Sequence, residues 1–223
     1  MGSMIELQAA DGHRLAAYRA APAGKPRGAV VVIQEIFGVN SHIKSVADGY
    51  AADGYLAIAP SMFDRLQRGY DTGYSQPEIQ AGIAIMQKLD WKQAILDVEA
   101  AVSEAKRAGK VGIVGYCFGG TVSWVAAAQA RGLACAVPYY GGGMPGFIGE
   151  TPKVPTMCHF GELDQSPTLE QSKAIAKAHP EITAHFYAGA GHGFNCDQRG
   201  SYNAEASKLA RQRTVEFFRK HLG

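Results

Sequence analysis

The chain has 223 residues, of which 47% are hydrophobic, and this is enough to bury a sizeable core. Its formal net charge of +2, with no Lys/Arg cluster interleaved with aromatic residues, argues against a nucleic-acid partner. No apolar run approaches the ~18 residues needed to cross a bilayer, so no membrane partner is expected. Glu6 and Asp11 lie where a signal peptide needs an apolar centre, and the four cysteines match no zinc spacing. We therefore expect a cytoplasmic protein with free thiols.

Alternating strand and helix patterns predict the α/β class, with a mostly parallel central sheet of about eight strands flanked by helices. The predicted strands span residues 5–8, 14–20, 28–33, 55–59, 110–114, 133–139, 154–160 and 183–188. The predicted helices span residues 42–52, 77–89, 91–107, 118–129, 166–178 and 204–221. Residues 61–76 are irregular and long enough to cover a pocket. Residues 1–3 resemble the remnant of an expression tag, and residues 4–223 are expected to form a single domain.

The segment Val111-Gly-Ile-Val-Gly-Tyr-Cys-Phe-Gly-Gly120 passes from a buried strand directly into an Ala-rich helix. Its Gly-x-Cys-x-Gly pattern has the form of a nucleophile elbow with Cys117 in place of serine. The positions two before and two after the nucleophile must be nearly free of side chains, and Gly115 and Gly119 meet that demand. The following helix directs its N-terminal N–H groups at the sulfur, and the N–H of Phe118 points where an oxyanion would form. The alternative is a buried structural cysteine beside packing glycines.

Further polar candidates follow other strands. Glu35 comes directly after the most strongly β run of the chain, where a carboxylate is costly unless it is paired or lies at the carboxyl edge of the sheet. Asp164 and His192 follow two later strands. Cysteine, acid and then histidine is the chain order of the α/β-hydrolase catalytic triad, which predicts a thiol nucleophile, a general base and an orienting carboxylate.

The remaining histidines, including His42 at a helix start, are interpreted as structural or solvated, with a small reservation for His159 near the end of a strand. No His/Asp/Glu cluster has metal-ligand spacing, so neither a metal nor a cofactor is expected. The expected partner is a small-molecule ester or lactone, and the expected assembly is a monomer or a small homo-oligomer.

The chain resembles the dienelactone hydrolase (carboxymethylenebutenolidase) family of α/β hydrolases. The segments that carry the resemblance are Gln34-Glu-Ile-Phe-Gly-Val-Asn40, the cysteine elbow, Tyr139-Tyr-Gly141, Gly161-Glu-Leu-Asp164 and Gly189-Ala-Gly-His192. The resemblance implies the triad named above, an oxyanion hole from the N–H groups of Ile36 and Phe118, and Tyr139 as a substrate-binding residue. It also implies that Glu35 holds the cysteine protonated at rest and helps to take its proton once substrate is bound.

Two positions depart from the family pattern. Members that cleave dienelactones hold the substrate carboxylate with two arginines, and the corresponding substrate-binding positions in this chain are Ile79 and Cys196. Neither side chain can pair with a carboxylate. We therefore expect a neutral or more apolar ester or lactone as substrate, unless Arg65, Arg68 or Arg199 supplies the missing charge.

Three functions fit these observations. The first is a cysteine-dependent hydrolase of lactones or enol esters that works through a thioester acyl-enzyme. The second is a broader carboxylesterase or thioesterase for neutral substrates. The third is a non-catalytic thiol receptor or redox sensor, and the complete acid-base set argues against it because a receptor does not need one.

Overall fold

The computed structural model describes residues 2–223, and within this range eight strands form one sheet. The strands are β1 (Ser3–Gln8), β2 (Arg14–Ala20), β3 (Ala29–Ile33), β4 (Leu56–Pro60), β5 (Val111–Tyr116), β6 (Leu133–Tyr139), β7 (Met157–Gly161) and β8 (Thr183–Tyr187). Their order in the sheet is β1-β2-β4-β3-β5-β6-β7-β8. Strand β2 pairs antiparallel with both β1 and β4, and the other pairs are parallel. The predicted fold class is confirmed.

Helices cover both faces of this sheet. They are α1 (Ser41–Ala52), α2 (Gln76–Met86), α3 (Trp91–Ala105), α4 (Phe118–Gln129), α5 (Leu169–Ala178) and α6 (Ala204–Leu222), with 3-10 turns at Lys106–Ala108 and Met144–Phe147. Helices α3 and α4 share one apolar core with the sheet, and α1 and α6 share the other. Every residue of β3 and β5 is buried as a result. Burial on both faces explains why these strands read as unbroken apolar runs.

Most element boundaries match the sequence prediction to within a few residues, and two differences have a clear local cause. Strand β1 begins at Ser3, which pairs with Arg19, so part of the segment set apart as a tag remnant belongs to the sheet; Met1 lies outside the described residues. Helix α5 begins at Leu169 and not at residue 166. Thr168 and Gln171 form a capping box, in which each side chain accepts a hydrogen bond from the backbone N–H of the other.

Residues 61–76 are irregular, as predicted, and are fixed by polar contacts. The buried carboxylate of Asp64 accepts hydrogen bonds from the backbone N–H groups of Ala16 (2.8 Å) and Gly69 (2.9 Å). The segment ends in a capping box between Ser75 and Glu78 that starts α2. Hydrogen bonds from Ser75 and Thr72 lower the pKa of Glu78 to about 2, so this cap stays charged through the acid range. Among the described helices, none is long and apolar enough to span a bilayer.

Candidate active site

The site is built around the turn between β5 and α4. Cys117 has φ 56° and ψ −116°, a backbone conformation that is costly for a residue with a side chain. A Cβ atom at Gly115 would lie 1.9 Å from the carbonyl oxygen of Gly119, and one at Gly119 would lie 2.4 Å from that of Ile33. The turn is therefore compatible only with glycine at both positions, and it presents the half-exposed thiol at the carboxyl edge of the sheet.

Asp164 and His192 meet at this edge, although 28 residues separate them in the chain. Nδ1 of His192 lies 3.0 Å from Oδ2 of Asp164, which is buried. The other carboxylate oxygen, Oδ1, accepts a hydrogen bond of 2.8 Å from the backbone N–H of Ser166. The aspartate is thus held by the loop that follows β7, and it orients the imidazole so that Nε2 is free to face Cys117.

The electrostatics of His192 follow from these neighbours. Burial lowers its pKa, but the negative charge and hydrogen bonds of Cys117 and Asp164 outweigh burial and hold the pKa well above its ordinary value. Imidazolium is the form that a general base becomes when it takes a proton. The surroundings of His192 therefore favour the product of proton transfer from the thiol.

A cavity of about 520 Å³ opens beside Cys117 and His192. Its walls are mostly apolar, and Arg199 is the only arginine or lysine among the described lining residues. The lining residues are Ile36, Phe37, Ile79, Ile83, Met86, Gln87, Leu89, Trp91, Cys117, Phe118, Thr121, Gly142, Gly143, Ser166, His192 and Arg199. Helix α2 covers the cavity, and residues 61–76 do not contribute to its wall. The expectation that this irregular segment covers the pocket is therefore wrong.

The helix covers the pocket because its sequence allows a close approach. Ile79, Ile83 and Met86 follow one another at spacings of four and three, which places them on one face of α2. A Cβ atom at Gly82 would lie 2.4 Å from the carbonyl oxygen of Ile36. Gly82 therefore lets α2 pack directly on the backbone that carries the candidate oxyanion-hole residue Ile36.

Glu35 lies buried next to this cavity, with 1% of its side chain exposed. Its Oε1 accepts a hydrogen bond of 3.1 Å from Nη1 of Arg199, while Oε2 has no hydrogen-bond partner. Burial lowers the pKa of Arg199, but the charges of Glu35 and Cys117 outweigh burial, and the pKa is raised above its ordinary value. The guanidinium also lies 5.5 Å from the ring centre of Phe37. This ion pair places one positive and one negative charge at the edge of the cavity.

Tyr140 is a site residue that the sequence does not distinguish from Tyr139, the neighbour expected to bind substrate. Its ring lies 5.3 Å from that of His192, and its buried hydroxyl has no hydrogen-bond partner. Burial, together with the charges of Glu35 and Cys117, raises its pKa well above the ordinary value. The residue has φ 36°, so the chain leaves β6 in a conformation that strand periodicity does not predict.

Of the three predicted substrate-binding residues, only Ile79 lines the cavity. Tyr139 is fully buried, and its hydroxyl lies 2.6 Å from that of Thr214 on α6, because this last residue of β6 faces the α1–α6 core. Cys196 is also fully buried; its thiol donates to the hydroxyl of Tyr74 at 3.3 Å. The assignments of Tyr139 and Cys196 to the substrate pocket are therefore wrong.

Among the arginines considered as substitutes for the missing pair, only Arg199 reaches the cavity. Arg65 forms ion pairs with Asp97 (2.8 Å) and Asp11 (2.7 Å). Arg68 pairs with Glu6 on β1. His159 is a core residue, fully buried between the hydroxyls of Tyr187 and Thr214.

The sheet order, together with polar side chains that meet at its carboxyl edge, defines the class of α/β hydrolases. The model of the dienelactone hydrolase family matches residues 15–222, and the chain belongs to that family. It is therefore a hydrolase that acts on ester bonds.

Relatives and solved structures agree with this assignment. A carboxymethylenebutenolidase from Pseudomonas putida is 31% identical over 223 residues, which is 96% of this chain and 94% of the relative. A Synechocystis sp. protein, described provisionally by the same name, is 35% identical over 212 residues, or 86% of each chain. The crystal structure of a Klebsiella pneumoniae protein, described provisionally as a dienelactone hydrolase, covers 99% of each chain with a TM-score of 0.84 and 26% identity.

Asp164→Asn is expected to lower kcat/KM by about 10²–10⁴-fold, because the amide cannot stabilise the imidazolium. Losing this charge lowers the pKa of His192, which must be neutral to take the thiol proton, so the acid limb of the kcat/KM profile should move to lower pH. The measurement is the pH dependence of ester hydrolysis. Glu162→Gln, an exposed acid in the same loop, is the matched control and should keep the wild-type profile. An unchanged acid limb in Asp164→Asn would contradict this assignment.

Arg199→Met leaves the buried Glu35 carboxylate unpaired, and we expect it to lower the free energy of unfolding by about 3–5 kcal/mol. Glu35→Gln removes the charge that needs a partner, so the double variant should recover much of this loss. Urea unfolding of the wild type, both single variants and the double variant gives the coupling free energy. Strictly additive losses would show that the two side chains do not interact.

Proposed function

We propose that this hydrolase cleaves a lactone or enol-ester bond with Cys117 as nucleophile, through a thioester acyl-enzyme. The observation that carries the proposal is the contiguous arrangement of Cys117, His192 and Asp164 beside an apolar cavity. The names of the relatives support the choice of bond, since a carboxymethylenebutenolidase opens a butenolide ring, which is an enol lactone.

In the first half-reaction, Nε2 of His192 takes the thiol proton and the sulfur of Cys117 attacks the acyl carbon. The carbonyl oxygen becomes an oxyanion, stabilised by the N–H groups of Ile36 and Phe118. Phe118 opens α4, so its N–H has no partner within the helix, and the dipole of the helix favours negative charge at that position. When the C–O bond breaks, the enolate oxygen leaves as an enol by taking the proton from His192; in a lactone it stays attached to the acyl chain.

In the second half-reaction, water replaces the leaving group. His192 accepts a proton from this water as its oxygen attacks the thioester carbon, and the same oxyanion site stabilises the intermediate. The C–S bond then breaks, the sulfur recovers a proton from His192, and a carboxylic acid is released. Asp164 remains charged throughout and stabilises each imidazolium that forms.

Glu35 adds control over the thiol in this proposal. Its carboxylate is paired with Arg199 through one oxygen only, so Oε2 can accept the proton of a resting thiol. Substrate that enters the cavity displaces this contact, and His192 then takes the proton. A thiol kept protonated until substrate arrives is also less open to oxidation.

The cavity favours a neutral or apolar substrate. Isoleucine, methionine, leucine and aromatic side chains form most of its wall. Arg199 is the only arginine or lysine among the described lining residues, and Glu35 already neutralises it. A substrate carboxylate would have to compete with Glu35 for this guanidinium, and that competition reduces the net gain from the new ion pair.

The test is a panel of substrates given to the purified protein: a dienelactone with a free carboxylate, its methyl ester, p-nitrophenyl acetate and an acyl-CoA. We expect the methyl ester of the lactone to have the highest kcat/KM and Cys117→Ala to abolish turnover of every substrate. A free carboxylate preferred by an order of magnitude or more would overturn the proposed specificity. Fastest turnover of acyl-CoA would favour a thioesterase, and full activity of Cys117→Ala would overturn the mechanism.

A further inference from the structure

Three potential metal ligands meet beside the candidate active site. They are Glu35, His42 and Cys196, whose ligand atoms all lie within 4.8 Å of one another. All three residues are buried, with exposed fractions of 1%, 3% and 0%. Their positions in the chain give no metal-binding spacing; they meet because β3, the start of α1 and the loop after His192 converge at one end of the sheet.

Two atoms of this cluster are buried without a hydrogen-bond partner. They are Oε2 of Glu35 and Nε2 of His42. A buried polar atom without a partner costs about 1–3 kcal/mol, and both of these atoms belong to a cluster that also holds a thiol. The other polar atoms of the two side chains are engaged elsewhere, since Oε1 of Glu35 accepts from Arg199 and Nδ1 of His42 lies 3.3 Å from Oδ1 of Asp197.

The surroundings of the cluster match those of metal ligands in proteins. A ligating histidine commonly directs its second ring nitrogen at a carboxylate, and Asp197 fills that position for His42. The sulfur of Cys196 contacts the hydroxyl of Tyr74, which can donate a hydrogen bond to a thiolate. A polar cavity of about 270 Å³, lined by His42, Asn195 and Asp197 among others, reaches the cluster at His42.

We propose that Glu35, His42 and Cys196 form a binding site for Zn²⁺ or a similar borderline divalent cation. Carboxylate, imidazole and thiolate are all zinc ligands, and a tetrahedral ion brings its ligand atoms to about 3.5 Å from one another, so small side-chain shifts suffice. Binding releases the thiol proton of Cys196 to solvent, and the two anionic ligands neutralise the ion. Water reaching the cluster from the polar cavity supplies the fourth position.

The experiment titrates Co²⁺, a spectroscopic substitute for Zn²⁺, into the full-length Cys117→Ala protein, in which the catalytic thiol cannot bind the ion. We expect a thiolate-to-cobalt charge-transfer band in the near ultraviolet at one Co²⁺ per chain, and loss of the band when Zn²⁺ is added. Adding Cys196→Ser should remove the band. Cys158→Ala, which removes another fully buried thiol, is the matched control and should keep it.

Asp197→Asn tests the site at an exposed position. It should weaken Co²⁺ binding about 10-fold, because His42 loses its orienting carboxylate. Absence of the charge-transfer band in Cys117→Ala would overturn the proposal, and so would a band that persists after Cys196→Ser. The readout is a spectrum and not ester turnover, so the result does not depend on the proposed hydrolytic mechanism.

Discussion

The close packing of backbone at the turn between β5 and α4 is the constraint on which the site depends. Cys117 can keep its left-handed backbone conformation only because its neighbours two residues away carry no side chain and pack against main-chain oxygens less than 3 Å from where a Cβ would be. The backbone N–H of Cys117 donates to Tyr139 at 3.1 Å, which ties the turn to the end of β6. The backbone that carries the thiol is therefore already in place before the reaction.

The second determinant is the placement of charge around this rigid turn. Asp164 stabilises a positive imidazole on one side, and Glu35 with Arg199 forms a neutral pair on the other. The two carboxylates therefore have different surroundings: Asp164 accepts hydrogen bonds at both oxygens, while Glu35 keeps one oxygen without a partner. A satisfied carboxylate orients its partner, and an incompletely satisfied one is available for a new contact. The roles proposed for the two acids follow from this difference.

The Glu35 oxygen that has no hydrogen-bond partner, Oε2, takes part in both proposals. Glu35 forms the ion pair with Arg199 at the edge of the substrate cavity, and it also belongs to the cluster with His42 and Cys196. An ion bound at this cluster would occupy Oε2 of Glu35, so the carboxylate could not hold the resting thiol of Cys117 at the same time. The proposed metal site and the proposed active site are thus adjacent in space, although His42 and Cys117 line different cavities.

Much of this arrangement could be predicted from the sequence, because strand ends, tight turns and chain order are local signals. The elbow glycines and the positions of Glu35, Asp164 and His192 after strands are examples. Side-chain direction at an irregular position is not local. Tyr139 and Tyr140 are adjacent and chemically alike, and only the backbone conformation after β6 decides which of them faces His192. Arg199 reaches the cavity from a loop whose path depends on tertiary packing. The cluster of Glu35, His42 and Cys196 depends on tertiary packing in the same way.

The most direct test of the account is to identify the covalent intermediate. A p-nitrophenyl ester is mixed with the enzyme, the reaction is quenched with acid during turnover, and intact-protein and peptide mass spectra are recorded. The account predicts one added acyl group, carried by the peptide that contains Cys117 and removed by hydroxylamine as expected for a thioester. Release of p-nitrophenol in a burst with unmodified Cys117, or an acyl group on another residue, would contradict it.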